Sequence, residues 1–193
     1  MDFNFTSDGQ LACIHDWSPY YSSGIILNVA PSMSDFLEMR IFNRFTPINL
    51  DYVITFLREN PTVFVVTDIK ERNIEALSLI KTCAPDLTDR FIVQIYSPDE
   101  YKAVSALGFK NIILTLYQLP WSSKVNTAQH IAFASTHDLV GFTFDCSLCS
   151  RTGFVEQMLK TGVPLFTHTV NDKSMQKTYF KQGISGIYTD NLQ

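Results

Sequence analysis

From residue 62 onward the chain alternates short apolar runs with longer amphipathic ones, and this alternation limits the fold more than any other feature. The runs are "TVFVVTDI" (62–69), "FIVQI" (91–95), "NIILTL" (111–116), "VGFTFD" (140–145), "VPLFTH" (163–168) and "GIYTD" (186–190). Each is rich in β-branched and aromatic residues and apolar on both faces, as a parallel strand covered on both sides must be. Their starts are spaced by one strand–loop–helix–loop unit. "MDFNF" at the N-terminus supplies a seventh strand candidate. Regular alternation of this kind predicts a parallel sheet with covering helices, either a doubly wound sheet or a barrel. Periodicity cannot choose between them. Seven strands fall one short of eight, which favours a TIM-type (β/α)8 barrel missing one unit.

The helices between these strands carry recognisable ends. Ser97-Pro98-Asp99-Glu100 reads as a capping box with a proline at the first helical position, and Gly108 stops that helix. Asn49 opens a helix that Asn60-Pro61 ends, and Asn171 is placed to cap the helix that stops at Gly183. Residues 17–45 are irregular, with aromatics, serines and prolines intermixed, and read as an insertion or long loop within one domain spanning 1–193.

A chain of 193 residues with 46% hydrophobic and 18% charged residues is globular and can bury a substantial core. The net charge of −4 argues against a nucleic-acid groove, and no apolar run approaches membrane-spanning length. Of the four cysteines, Cys146 and Cys149 form a lone C-x-x-C with no second ligand pair at zinc spacing. They read as small apolar residues.

In a parallel α/β fold, chemistry sits at the C-terminal ends of the strands and in the loops beyond them. Asp68 and Lys70 lie on alternate positions there and so face the same side. Such a pair could hold a hard cation and a phosphate oxygen, or form a structural ion pair. His15-Asp16 comes after "QLACI", which reads as a strand after the Asp8-Gly9 turn; a histidine so placed could serve as acid or base, or simply pack. His168 closes a strand and is a pocket candidate. His130 and His137 fall in or beside a helix at the wrong end of a unit and read as structural.

The N-terminal segment "DFNFTSDGQLACIHDW" resembles the glycerophosphodiester phosphodiesterase pattern E-x-D-x-x-x-T-x-D-G-x-x-x-x-x-H-D, with Asp2, Thr6, Asp8, Gly9, His15 and Asp16 at the family spacing. "VTDIK" resembles the family's E-x-K strand with Asp68 in place of glutamate. "FTHTVND" is similar to the W-T-V-N segment with His168 at the tryptophan position, and "GISGIYTD" is similar to the closing G-x-x-G-I-x-T-D. The resemblance implies an eight-stranded barrel that hydrolyses glycerophosphodiesters, small lipid-derived molecules, to glycerol 3-phosphate and an alcohol. It implies histidine acid–base catalysis with a divalent cation, Mg²⁺ or Ca²⁺. Carried over, His15 is a catalytic histidine, Lys70 a catalytic group on the phosphate side, Asp2 and Asp68 metal ligands, and His168 a substrate-binding residue. The family opens with a strand bearing H-R and a helix; their absence here, with that of the E-x-D glutamate, implies an N-terminally incomplete barrel. On that reading Met1 is internal to a longer protein, and the chain made alone has little or no phosphodiesterase activity. Two other readings stay open: a non-catalytic barrel binding a phosphorylated ligand or partner, and an enzyme similar to phosphatidylinositol-specific phospholipase C.

Overall fold

The N-terminal residues pair on two sides. Asn4–Phe5 (β1) forms an antiparallel hairpin with Leu11–Ala12 (β2), in register Asn4↔Ala12 and Phe5↔Leu11. The turn between them needs a left-handed residue, and Gly9 supplies it at φ +77°. Asp8 ties that turn to the start of the next helix. Its carboxylate accepts from the Thr6 hydroxyl (2.6 Å) and from the backbone N–H of Met33 (3.0 Å). The Thr6 bond is the main reason the Asp8 carboxyl is held below its ordinary value. On its other side the same segment pairs in parallel: Asp2 bridges Asp68, with Phe3 N–H donating to Asp68 O at 3.0 Å and Asp68 N–H to Met1 O at 2.8 Å.

This computed structural model describes residues 1–17, 29–41, 44–116 and 126–191. Part of the irregular stretch expected at 17–45 therefore lies outside the described residues. Its remainder includes a short helix, Met33–Glu38 (α1), capped by Ser32. The chain divides into two compact units, Met1–Val93 with Ala103–Phe109, and Gln94–Lys102 with Lys110–Gln193.

In the first unit, α1 is succeeded by Leu50–Glu59 (α2), Val65–Val66 (β3), Asn73–Cys83 (α3) and a 3₁₀ turn, Pro85–Arg90. Next comes Phe91–Ile95 (β4), which pairs in parallel with β3 through Val65↔Phe91 and Val66↔Ile92. Asn49 caps α2 as expected, accepting from Tyr52 N–H at 3.0 Å. The helix buries Leu50, Val53, Ile54 and Leu57 along one face, the spacing of an amphipathic helix.

Beyond β4, a 3₁₀ turn (Pro98–Glu100) runs into Tyr101–Ala106 (α4). The capping box expected here takes another form. Ser97 accepts from Asp99 N–H, and Glu100 reaches the N–H of Tyr96 (2.9 Å) because the first turn is wound as 3₁₀.

The second unit holds Ile112–Thr115 (β5), Thr127–Ala134 (α5), Gly141–Asp145 (β6), Phe154–Leu159 (α6), Leu165–His168 (β7), Lys173–Gln182 (α7) and Gly186–Ile187 (β8). These four strands pair in parallel in chain order. All of β5 and Gly141–Phe144 of β6 are buried, as runs apolar on both faces require. Asn171 does not cap α7; Asp172 does, accepting from Ser174 and Met175 N–H at 2.8 and 2.9 Å. Asn171 instead holds the C-terminal loop, accepting from Asp190 N–H and the Thr189 hydroxyl.

Phe166 on β7 explains two glycines of its neighbouring strands. A Cβ at Gly141 would stand 2.6 Å from the Phe166 ring, and one at Gly186 would stand 2.8 Å from it. Gly183, in the same closing motif, ends α7 in the left-handed conformation at φ +100°. Overpacking of this kind costs about 1–3 kcal/mol. Gly141→Ala and Gly186→Ala are each expected to lower stability by about that amount, read as a shift in denaturant midpoint with unchanged slope.

Parallel strands alternating with helices make this a mixed α/β fold of the TIM-barrel type, represented in part, as expected from the sequence. Among the described residues, no helix is long and apolar enough to cross a membrane.

Candidate active site

The pairing of Asp2 with Asp68 creates the site. Bridged residues on adjacent strands present their side chains to the same side, with the strands about 4.8 Å apart. The two carboxylates thus share one face, and both line a cavity of about 170 Å³ in the first unit. Lys70 stands two positions after Asp68, and its Nζ lies 3.9 Å from the Asp68 carboxylate. The alternation read from the sequence is therefore what the structure shows.

His15 enters the same cavity from the loop after β2, together with Asp16. Its Nδ1 lies 2.7 Å from Asp16 Oδ2, and its Nε2 lies 2.6 Å from Lys70 Nζ. A lysine ammonium offers three N–H donors and no acceptor, so Nε2 must accept in this contact. The ring proton then sits on Nδ1 and is donated to Asp16. A chain runs Asp16–His15–Lys70–Asp68, linking residues far apart in sequence. These groups are a third to a half exposed, open to a solute.

Four of the five residues singled out from the sequence, Asp2, His15, Asp68 and Lys70, meet in this cavity. His168 belongs to the second unit. It ends β7, pairs in register with Asp145 of β6, and meets the Tyr188 ring edge-on at 6.1 Å. Sequence reasoning passed over Asn4 and Glu71, which also line the cavity. Asn4 carried a usable signal, since it lies two residues after Asp2 and shares its side.

The donor set can be compared with what a cation needs. Among the described residues, no three His, Cys, Asp or Glu side chains converge as a complete metal cage. Two carboxylates on one face do suit Mg²⁺, which keeps several waters and takes one or two carboxylates plus substrate phosphate oxygens. They suit Ca²⁺ less, since it seeks six to eight oxygens.

The cysteines offer no competing site. Cys146 and Cys149 lie in a 3₁₀ turn after β6, and burial pushes both thiols up, opposite to a redox-active pair. Burial drives Cys13 up to about 12. His130 and His137 are engaged in aromatic contacts, His137 stacked on Phe133 at 4.1 Å.

The parallel α/β fold and the charged cavity suit a hydrolase, and comparison with known proteins supplies the class. The sequence profile of the glycerophosphoryl diester phosphodiesterase family matches residues 17–193. No curated protein matches the chain. Similar solved structures include a glycerophosphodiester phosphodiesterase from Thermotoga maritima, at 17% identity and TM-score 0.73, covering 98% of this chain and 79% of that one. Another, from Parabacteroides distasonis, aligns at 16% identity and TM-score 0.74, covering 98% and 77%. A third is an Oleispira antarctica phosphodiesterase in complex with the product sn-glycerol-3-phosphate, at 14% identity and TM-score 0.71, covering 98% and 79%. The chain belongs to the glycerophosphoryl diester phosphodiesterase family. Asp2, His15 and Asp16 stand just ahead of the matched range, while Asp68, Lys70 and His168 fall within it.

Proposed function

We propose that the chain hydrolyses glycerophosphodiesters to glycerol 3-phosphate and an alcohol in the cavity of the first unit. The observation that carries this reading is the Asp16–His15–Lys70 chain opening onto the same cavity as the paired carboxylates Asp2 and Asp68. The Oleispira relative solved with sn-glycerol-3-phosphate supports the choice of product.

The residues divide the work by chemistry. Lys70 binds a non-bridging phosphate oxygen as a point charge, which draws its ammonium off His15 Nε2. The freed Nε2 then handles the proton: it takes one from the attacking oxygen or returns one to the departing alcohol. Asp16 holds the ring in the Nδ1–H tautomer and steadies it when Nε2 is protonated. Asp2 and Asp68 would hold the divalent cation, Mg²⁺ on the donor count. Such a cation neutralises the diester oxygens and so stabilises charge at phosphorus.

A second reading, a barrel that binds a phosphorylated ligand without turnover, has one observation in its favour. Of the chain's four histidines, only His15 lines this cavity. One assay separates the two. Glycerophosphocholine and glycerophosphoethanolamine are incubated with the protein, with Mg²⁺ or EDTA, and products are monitored by ³¹P NMR. Slow, Mg²⁺-dependent release of glycerol 3-phosphate is expected. Phosphocholine as product, or ligand binding with no product, would contradict the proposal.

A further inference from the structure

Arg72 is an odd choice for its position. Among the described residues it is the one non-glycine with a positive φ, 55°, a conformation disfavoured for a bulky side chain. It also stands at the N-cap of α3, where its side chain caps nothing and a Ser, Asp or Gly would serve the helix better. The local backbone does not explain an arginine here. The destination of its side chain does.

The Arg72 guanidinium lies over the ring of Phe5, 3.9 Å from the centroid, in cation–π geometry. Glu75 grips it from the other side through both carboxylate oxygens, one of them 2.7 Å from Nε. Phe5 is engaged a second time, since its carbonyl accepts the indole N–H of Trp17 at 3.2 Å. Trp17 is itself seated edge-on against Phe36 of α1, with centroids 5.5 Å apart.

The sequence positions give this cluster its meaning. Trp17 comes directly after His15-Asp16, and Arg72 stands two residues beyond Lys70. Phe5 therefore fastens both loops whose tips meet at the His15–Lys70 contact, each within two residues of the contact itself. We infer that Phe5, with Arg72 and Trp17, is a positioning clamp that holds His15 Nε2 against Lys70 Nζ. None of the three is among the residues lining the cavity, so their effect reaches the chemistry through the two loops. Displacements of ~1 Å in reacting groups can cost ~10²-fold in rate, so a clamp of modest strength has catalytic leverage. The inference rests on the phosphodiesterase reading of the cavity.

The test compares Arg72→Gly, Phe5→Leu and Arg72→Lys with the parent protein and with His15→Ala. Glycine at position 72 relieves the left-handed backbone while removing the clamp, so its melting temperature should hold or rise. Arg72→Gly and Phe5→Leu are expected to lower kcat on the order of tenfold, with KM little changed. Arg72→Lys, which keeps a cation over Phe5, should restore much of it. The imidazole ¹⁵N shifts of His15 should report one Nδ1–H tautomer in the parent and a tautomer mixture in Arg72→Gly. If His15→Ala keeps the parent rate, the phosphodiesterase reading falls and the clamp with it. If His15→Ala loses activity while Arg72→Gly keeps both the parent kcat and a single His15 tautomer, the clamp alone is wrong.

Discussion

Replacing His15 with alanine is expected to lower glycerophosphodiester turnover by ~10²–10⁴-fold, the range for a positioned general acid or base. Among the described residues lining the cavity there is no second imidazole. Asp16 faces Nδ1 and Lys70 faces Nε2, so each is matched to the imidazole rather than to the other. The substitution should leave the fold intact, because the side chain is half exposed and its backbone is unaltered. Steady-state kinetics and a melting curve on the same preparation check both halves of the expectation. Asp16→Asn should fall between parent and His15→Ala, since an amide can turn its N–H₂ toward Nδ1 and favour the wrong tautomer.

Asp68→Asn should weaken Mg²⁺ binding by about tenfold or more. The change removes one full charge from the carboxylate pair, Asp2 and Asp68, proposed to hold the cation. A unit charge about 4 Å from a cation is worth ~4 kcal/mol at an effective dielectric of ~20. Because the Asp68 side chain is 31% exposed, solvent screening reduces that figure, and ~1.5 kcal/mol remains a fair floor. The variant is nearly isosteric, and the bonds that position it are backbone ones, to Phe3 N–H and Met1 O. Loss of affinity would therefore report the charge and not a collapse of the bridge. Calorimetry with Mg²⁺ measures it directly, and an unchanged dissociation constant would show that Asp68 serves only Lys70.

The parts of the fold legible in the sequence were those set by local pattern. "FIVQI" became β4 without a shift of either end, because a run apolar on both faces has few alternatives to a buried parallel strand. "TVFVVTDI" shrank to Val65–Val66 plus the Asp68 bridge, since ladder hydrogen bonds depend on a neighbour that the run itself does not specify. The N-terminal segment, read as another strand of the alternation, pairs in parallel with Asp68 and turns back antiparallel through β1 and β2. The Asn171–Asp172 reversal has a similar cause. Both residues can cap a helix, and only the position of the loop at 189–190 decides which one is free to do so.

The candidate site divides the same way. The shared side of Asp68 and Lys70 comes from strand geometry, and the motif resemblance pointed to His15 and Asp2. The contact between His15 and Lys70 joins residues 55 apart, and no local pattern encodes such a closure. The left-handed Arg72 was invisible for a related reason: its side chain lies over Phe5, which is far away along the chain.

That this cavity receives the phosphate is tested by a crystal structure of the protein grown with glycerol 3-phosphate and Mg²⁺. The phosphate is expected within hydrogen-bond distance of Lys70 Nζ and His15 Nε2, with the cation held by Asp2 and Asp68. Phosphate bound elsewhere, with the His15–Lys70 contact undisturbed and the two carboxylates free of metal, would contradict it.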